Sequence, residues 1–166
     1  MKMQYKNKSV IYLDIDGVLN RGATLHKEEL SLDLIENLSI LVKETQSEVI
    51  LISSWRNFFE GNVPKNKKAK LLVDNFKKYN IKIEEVFPKS NENRSEEVLN
   101  HIRKNEIKNF VILDDEPYKY KENPILLNHW VRPITGSYHW IPIETQGFNQ
   151  TKLVEALVIL KNLKFY

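Results

Sequence analysis

Apolar residues fall along this chain in two rhythms. Short runs rich in β-branched and aromatic residues, near 9–14, 48–53, 81–87, 109–113 and 127–132, read as strands. Near 28–44, 66–79, 94–104 and 149–163, apolar positions instead return every third or fourth residue, the spacing of one helix face. Leu30, Leu34, Ile35, Leu38 and Leu41 form one such stripe, and Leu153, Leu157 and Leu160 another. Strands alternating with helices predict an α/β fold: a mostly parallel sheet of about five strands with helices on both faces. That is a three-layer, doubly wound, Rossmann-like arrangement, in which ligands bind beyond the carboxyl ends of the strands. Nothing in the 166 residues reads as a repeat, a low-complexity tract or a linker, so a single domain over 1–166 is expected.

The chemistry-bearing residues cluster at strand ends. The first strand runs Val10-Ile11-Tyr12-Leu13 into Asp14-Ile15-Asp16-Gly17-Val18-Leu19-Asn20. Residues two apart in an extended chain project from one side, which aims Asp14 and Asp16 at one site. Two carboxylates held together repel unless a cation or a shared proton intervenes. The second strand ends in Ser53-Ser54-Trp55-Arg56, and the fourth, Asn109-Phe110-Val111-Ile112-Leu113, in Asp114-Asp115-Glu116-Pro117. A second acidic end in the same parallel sheet supplies hard oxygen ligands of the kind Mg²⁺ takes. Arg56 is either a fork donor to a substrate phosphate or the partner of a structural ion pair. At or just before the helix that precedes the fourth strand lie two cations, Lys89 and Arg94, the second at the start of that predicted helix.

In order and in position, these strings resemble the motifs of haloacid dehalogenase-like (HAD) phosphotransferases, over residues 10–115. Within that superfamily, Asp16-Gly17-Val18-Leu19-Asn20, Ser53-Ser54-Trp55-Arg56, Arg94-x-x-Glu97-Val98 and Leu113-Asp114-Asp115 are similar to small HAD domains associated with RNA-repair proteins. The resemblance implies an Asp14 nucleophile that forms an aspartyl-phosphate and an Asp16 general acid–base. It implies Mg²⁺ bound by Asp14, the backbone carbonyl of Asp16 and Asp115, with Asp114 orienting it or coordinating through water. Ser53 would hold a phosphoryl oxygen, with Ser54 in reserve, and Arg94 or Lys89 would supply the motif-three cation. HAD enzymes often carry a cap domain between these motifs. Here residues 21–47 hold one helix, and 57–88 a loop, one helix and the third strand, so no cap domain is expected and the site should be open.

Composition narrows the function classes without naming one. The net charge of +3 permits an anionic substrate but falls short of a dedicated nucleic-acid binder. The chain has no cysteine, which excludes disulfides and thiol catalysis and is compatible with the cytoplasmic location expected. No apolar run nears the roughly 18 residues of a membrane span. His26, His101, His129 and His139 lack metal-ligand spacing. The run Lys65-Asn66-Lys67-Lys68-Ala69-Lys70 reads as a solvated helix start or a phosphate-binding patch, and the aromatics Trp130, Tyr138 and Trp140 as core or a stacking wall for bases. The leading expectation is a Mg²⁺-dependent phosphomonoester hydrolase, acting on nucleic-acid ends or nucleotides. The alternatives are a phosphatase for a phosphoprotein or small metabolite, and a non-catalytic binding or regulatory module on the same scaffold. A signalling receiver domain would need its acids and hydroxyl in a different strand order.

Overall fold

Strand β1 (Ser9–Leu13) is buried along nearly its whole length, and a strand buried on both faces belongs in the middle of a sheet. A computed structural model describes residues 4–5, 7–21, 29–116, 120–134 and 141–163. It places β1 between β2 (Glu48–Leu51) and β6 (Asn109–Leu113), both parallel to it, with Tyr12 opposite Ile50 on one side and Ile112 on the other. Beyond β2 lies β5 (Ile83–Val86), and beyond β6 lies β7 (Trp130–Val131). The sheet order is β5-β2-β1-β6-β7 and every pair is parallel, as the alternating pattern predicts.

The pleat divides the core into two layers. Ile11, Leu13, Val49, Leu51, Val111 and Leu113 point to one face, where α1 (Leu32–Thr45), α2 (Lys67–Lys78) and α5 (Gln150–Leu160) cover them. Val10, Tyr12, Ile50, Ile52, Phe110 and Ile112 point to the other, against α3 (Arg94–Asn105) and the single turn α4 (Pro124–Leu127). The chain therefore winds outward from β1 with helices on one face, then returns across it with helices on the other. The reversal in strand order falls between β1 and β6.

Asparagine side chains mark where several helices start. Asn66, Asn93 and Asn149 each accept a backbone N–H of the first turn of α2, α3 and α5. The predicted strand at 127–132 shortens to β7 for the same reason. Asn123 caps Pro124 at the first helical position, and 124–127 turn helical although their composition is apolar. The predicted loop after residue 57 contains a small antiparallel hairpin, β3 (Phe59–Glu60) and β4 (Val63–Pro64), turned at Gly61 with φ 55°. Asn62 at its tip accepts from the Val86 N–H and donates to the Glu84 carbonyl, which occupies the outer edge of β5. The predicted helix at 28–44 begins at Leu32; residue 28 lies outside the described residues.

Among the described residues, only α1 lies between β1 and β2, and a 3₁₀ turn (Ser54–Phe58), the hairpin and α2 lie between β2 and β5. Among these residues no cap domain is inserted at either place, and no helix is long and apolar enough to cross a membrane.

Candidate active site

The acids of β1 sit where the strand leaves the sheet. The Asp14 N–H still donates to the Leu113 carbonyl at 2.8 Å, so its backbone is fixed by β6 while its side chain turns into the site. Asp14 is 4% exposed. Ile15 between the acids is buried in the core, and Gly17, with φ 77°, bends the chain away. The Gly17 N–H donates to Asn20 Oδ1 at 2.7 Å, and Asn20 Nδ2 donates to Asp16 Oδ1 at 2.9 Å.

The end of β2 supplies the hydroxyl. Ser53 is fully buried, accepts the Trp55 N–H at its Oγ to start the 3₁₀ turn, and hydrogen-bonds to Asp14. Trp55 Nε1 donates to the other oxygen of Asp16 at 3.0 Å. Ser54 is exposed. Arg56 Nη1 donates to both carboxylate oxygens of Glu97 at 2.9 Å, which is the ion-pair reading of that residue. The pair is almost fully buried and braces the turn after β2 against the start of α3. Arg56→Ala is expected to cost about 3 kcal/mol, because it leaves the Glu97 charge buried without its partner. Urea unfolding measures this, and a loss below about 1 kcal/mol would show that water reaches Glu97.

At the end of β6, Asp114 is fully buried and held by three donors. The Glu116 N–H reaches Oδ1 at 3.0 Å, while Tyr120 Oη at 2.6 Å and Arg94 Nη1 at 2.8 Å share Oδ2. Trp130 Nε1 donates to the Asp114 carbonyl at 2.7 Å, and Arg132 Nε to the Asp115 carbonyl at 3.2 Å. Arg94 also lies 3.4 Å from Asp14 Oδ1, so one guanidinium bridges the acids of β1 and β6. Of the two candidate cations, Arg94 reaches the acids, and Lys89 is exposed on the loop after β5. Burial alone pulls Arg94 downward, but the charges of Asp14 and Asp114 outweigh it and hold the guanidinium firmly protonated.

Asp14, Asp114 and Asp115 each bring one oxygen within 4.8 Å of the others. This is a crowded set of like charges at the reversal in strand order, where a parallel sheet offers its ligand crevice. Burial chiefly, then the charge of Asp114, pushes the Asp14 carboxyl up to about 8, with Arg94 and Ser53 opposing. Hard oxygen donors at this spacing, one of them unwilling to ionise alone, fit a bound Mg²⁺. Binding requires the ionised carboxylate, so Mg²⁺ uptake near pH 7 is expected to release close to one proton and to tighten as pH approaches 8. Calorimetry in buffers of different ionisation enthalpy tests this; heats independent of buffer would contradict it.

The other sequence candidates lie apart from the acids or pack into the fold. His101 sits among Tyr5, Tyr12 and Phe87, with Nδ1 2.9 Å from Tyr12 Oη and Nε2 3.3 Å from Glu85. His129 stacks on Phe110, and Trp130 is half-buried against Tyr120. In the lysine run, Lys65 pairs with Glu60, Lys68 lies over the Trp55 ring at 4.3 Å, and Lys67 and Lys70 are exposed. His26, Tyr138, His139 and Trp140 lie outside the described residues. Asn20, Tyr120 and the Trp55 side chain had no assigned role in the sequence. A buried indole needs an acceptor, and that requirement is the signal that points Trp55 toward an acid.

A family model described as "HAD domain in Swiss Army Knife RNA repair proteins" matches residues 10–136. That span runs from β1 past β7 and takes in every acid of the site. No curated protein sequence matches the chain.

Proposed function

Because the chain belongs to the family of HAD domains of Swiss Army Knife RNA repair proteins, we propose that it is a Mg²⁺-dependent phosphomonoester hydrolase. Nucleic-acid ends or nucleotides are its first substrate class. The observation that carries this reading is the convergence of Asp14, Asp114 and Asp115 within 4.8 Å at the strand-order reversal, with Asp16 two residues from Asp14. Asp14, Asp115 and the Asp16 carbonyl would hold the ion. Bound there, Mg²⁺ supplies the positive charge that keeps Asp14 ionised and offsets the phosphoryl oxygens.

The residues divide the reaction into two in-line displacements. An Asp14 oxygen attacks phosphorus, the bond from phosphorus to the leaving oxygen breaks, and Asp16 gives that oxygen its proton. Asp16 then takes a proton from the water that attacks the aspartyl-phosphate, and the bond from phosphorus to Asp14 breaks to release phosphate. Ser53, whose hydroxyl lies beside Asp14, holds a phosphoryl oxygen. Arg94, fixed by Asp114, places its charge beside the nucleophile and the phosphate.

An uncapped site suits a terminal phosphate on a long chain, and the exposed Lys67 and Lys70 of α2 offer such a chain phosphate contacts. The test is kcat/KM for an oligonucleotide and a mononucleotide bearing the same terminal phosphate. The oligonucleotide is expected to win. Lys67→Glu with Lys70→Glu should raise its KM with kcat nearly unchanged. Two lost phosphate contacts also predict a salt dependence weaker by about tenfold between 50 and 200 mM. A preference for the mononucleotide with little salt effect would instead indicate a small-molecule phosphatase.

A further inference from the structure

Asp16 projects from the same strand end as Asp14, yet its carboxylate lies outside the cluster formed by Asp14, Asp114 and Asp115. Two neutral donors account for this. Asn20 Nδ2 holds Oδ1 at 2.9 Å and Trp55 Nε1 holds Oδ2 at 3.0 Å. The Asn20 amide is itself oriented, because its oxygen accepts the Gly17 N–H. The indole is fixed too: Trp55 is 2% exposed, packs edge-on to Phe58, and carries the Lys68 ammonium over its ring. Indole nitrogen only donates, so the buried ring and the carboxylate satisfy each other in one geometry.

We propose that Trp55 is a positioning residue for Asp16: together with Asn20, its indole N–H keeps the Asp16 carboxyl out of the metal-binding cluster and available to the leaving oxygen. The proposal rests on the phosphatase reading above. Released from Trp55, the carboxylate would be free to turn toward the cluster of Asp14, Asp114 and Asp115 and would there become a ligand in place of a proton donor. Asp16 would hold the ion only through its backbone carbonyl, which would leave the side chain to the chemistry.

The test uses leaving groups of different quality. A proton donor matters most for an alkyl phosphate, whose leaving alkoxide is poor, and little for p-nitrophenyl phosphate, whose phenolate departs unaided. Trp55→Phe, which removes the N–H and keeps an aromatic ring, is expected to lower kcat about 10²-fold on the alkyl ester. On p-nitrophenyl phosphate the loss should stay below about threefold. In an Asp16→Asn background, Trp55→Phe should cost less than about threefold on either ester, because the group it positions is gone. Asn20→Ala, which removes the other donor to Asp16, should show the same split, and it decides the matter if Trp55→Phe does not fold. Equal losses on both esters, or losses that multiply with Asp16→Asn, would overturn the positioning role and leave the phosphatase reading intact. A wild-type protein inactive on both esters with Mg²⁺ would overturn the phosphatase reading and this proposal with it.

Discussion

Replacing Asp14 with Asn is expected to lower phosphatase turnover by at least about 10³-fold, because the amide neither attacks phosphorus nor draws in the cation. The same change should not weaken the fold. In the metal-free protein, burial first and the neighbouring acids next hold the Asp14 carboxyl at about 8, far above an unfolded aspartate. A carboxyl raised in this way contributes stability that is fully present below the pKa of an unfolded aspartate and is lost as pH climbs from there through the folded value. Asn carries no such cost. In chelator, Asp14→Asn should therefore melt at or above the wild-type temperature at pH 8, with the gap closing toward pH 5. Thermal melts across that range, with turnover measured in Mg²⁺, separate the two effects. Residual turnover near wild type in a rigorously purified variant would remove Asp14 as nucleophile.

Chelation is the second large effect. Activity is expected to vanish in excess EDTA, to return with Mg²⁺, and to be inhibited by Ca²⁺, whose looser coordination places a phosphate poorly. The two acids of β6 should respond differently to truncation. Asp115 is half-buried, so Asp115→Ala should leave a folded protein whose Mg²⁺ half-saturation rises at least about tenfold. Asp114 is fully buried beneath Arg94, Tyr120 and the Glu116 N–H. Its loss leaves the guanidinium without its closest acceptor, and Asp114→Ala should cost about 3–5 kcal/mol of stability. If Asp115→Ala kept its Mg²⁺ affinity while Asp114→Ala stayed folded and lost it, the roles within the pair would be exchanged.

The strands that carry the acids were legible because they are buried on both faces. Val10–Leu13, Val49–Ile52 and Phe110–Leu113 are uninterrupted apolar runs that stop at polar residues, and the structure starts and ends β1, β2 and β6 within two residues of them. The short elements near the edges were harder to read. The strand predicted at 127–132 begins too early, because Asn123 and Pro124 start a helical turn that runs through Leu127. The Gly61-Asn62 pair carried a turn signal that marks the hairpin, but strands of two residues leave almost no alternation to detect. Partners distant in sequence were the least legible. Arg56 finds Glu97 41 positions away, and Trp55 finds Asp16 39 away. No local pattern specifies such pairs, because the fold itself brings them together.

The position of β1 also bears on how the protein loses its site. Asp14 directly follows the central strand of the sheet, which pairs with β2 and β6, and its amide is bonded to β6. Such amides open to solvent only when the whole sheet comes apart, whereas those of the β3–β4 hairpin can exchange through local fraying. The acids of the site are thus expected to sit among the slow-exchanging amides of the described residues. In rising urea, the site should survive while the periphery loosens and should disappear only in the cooperative transition that dissolves the core.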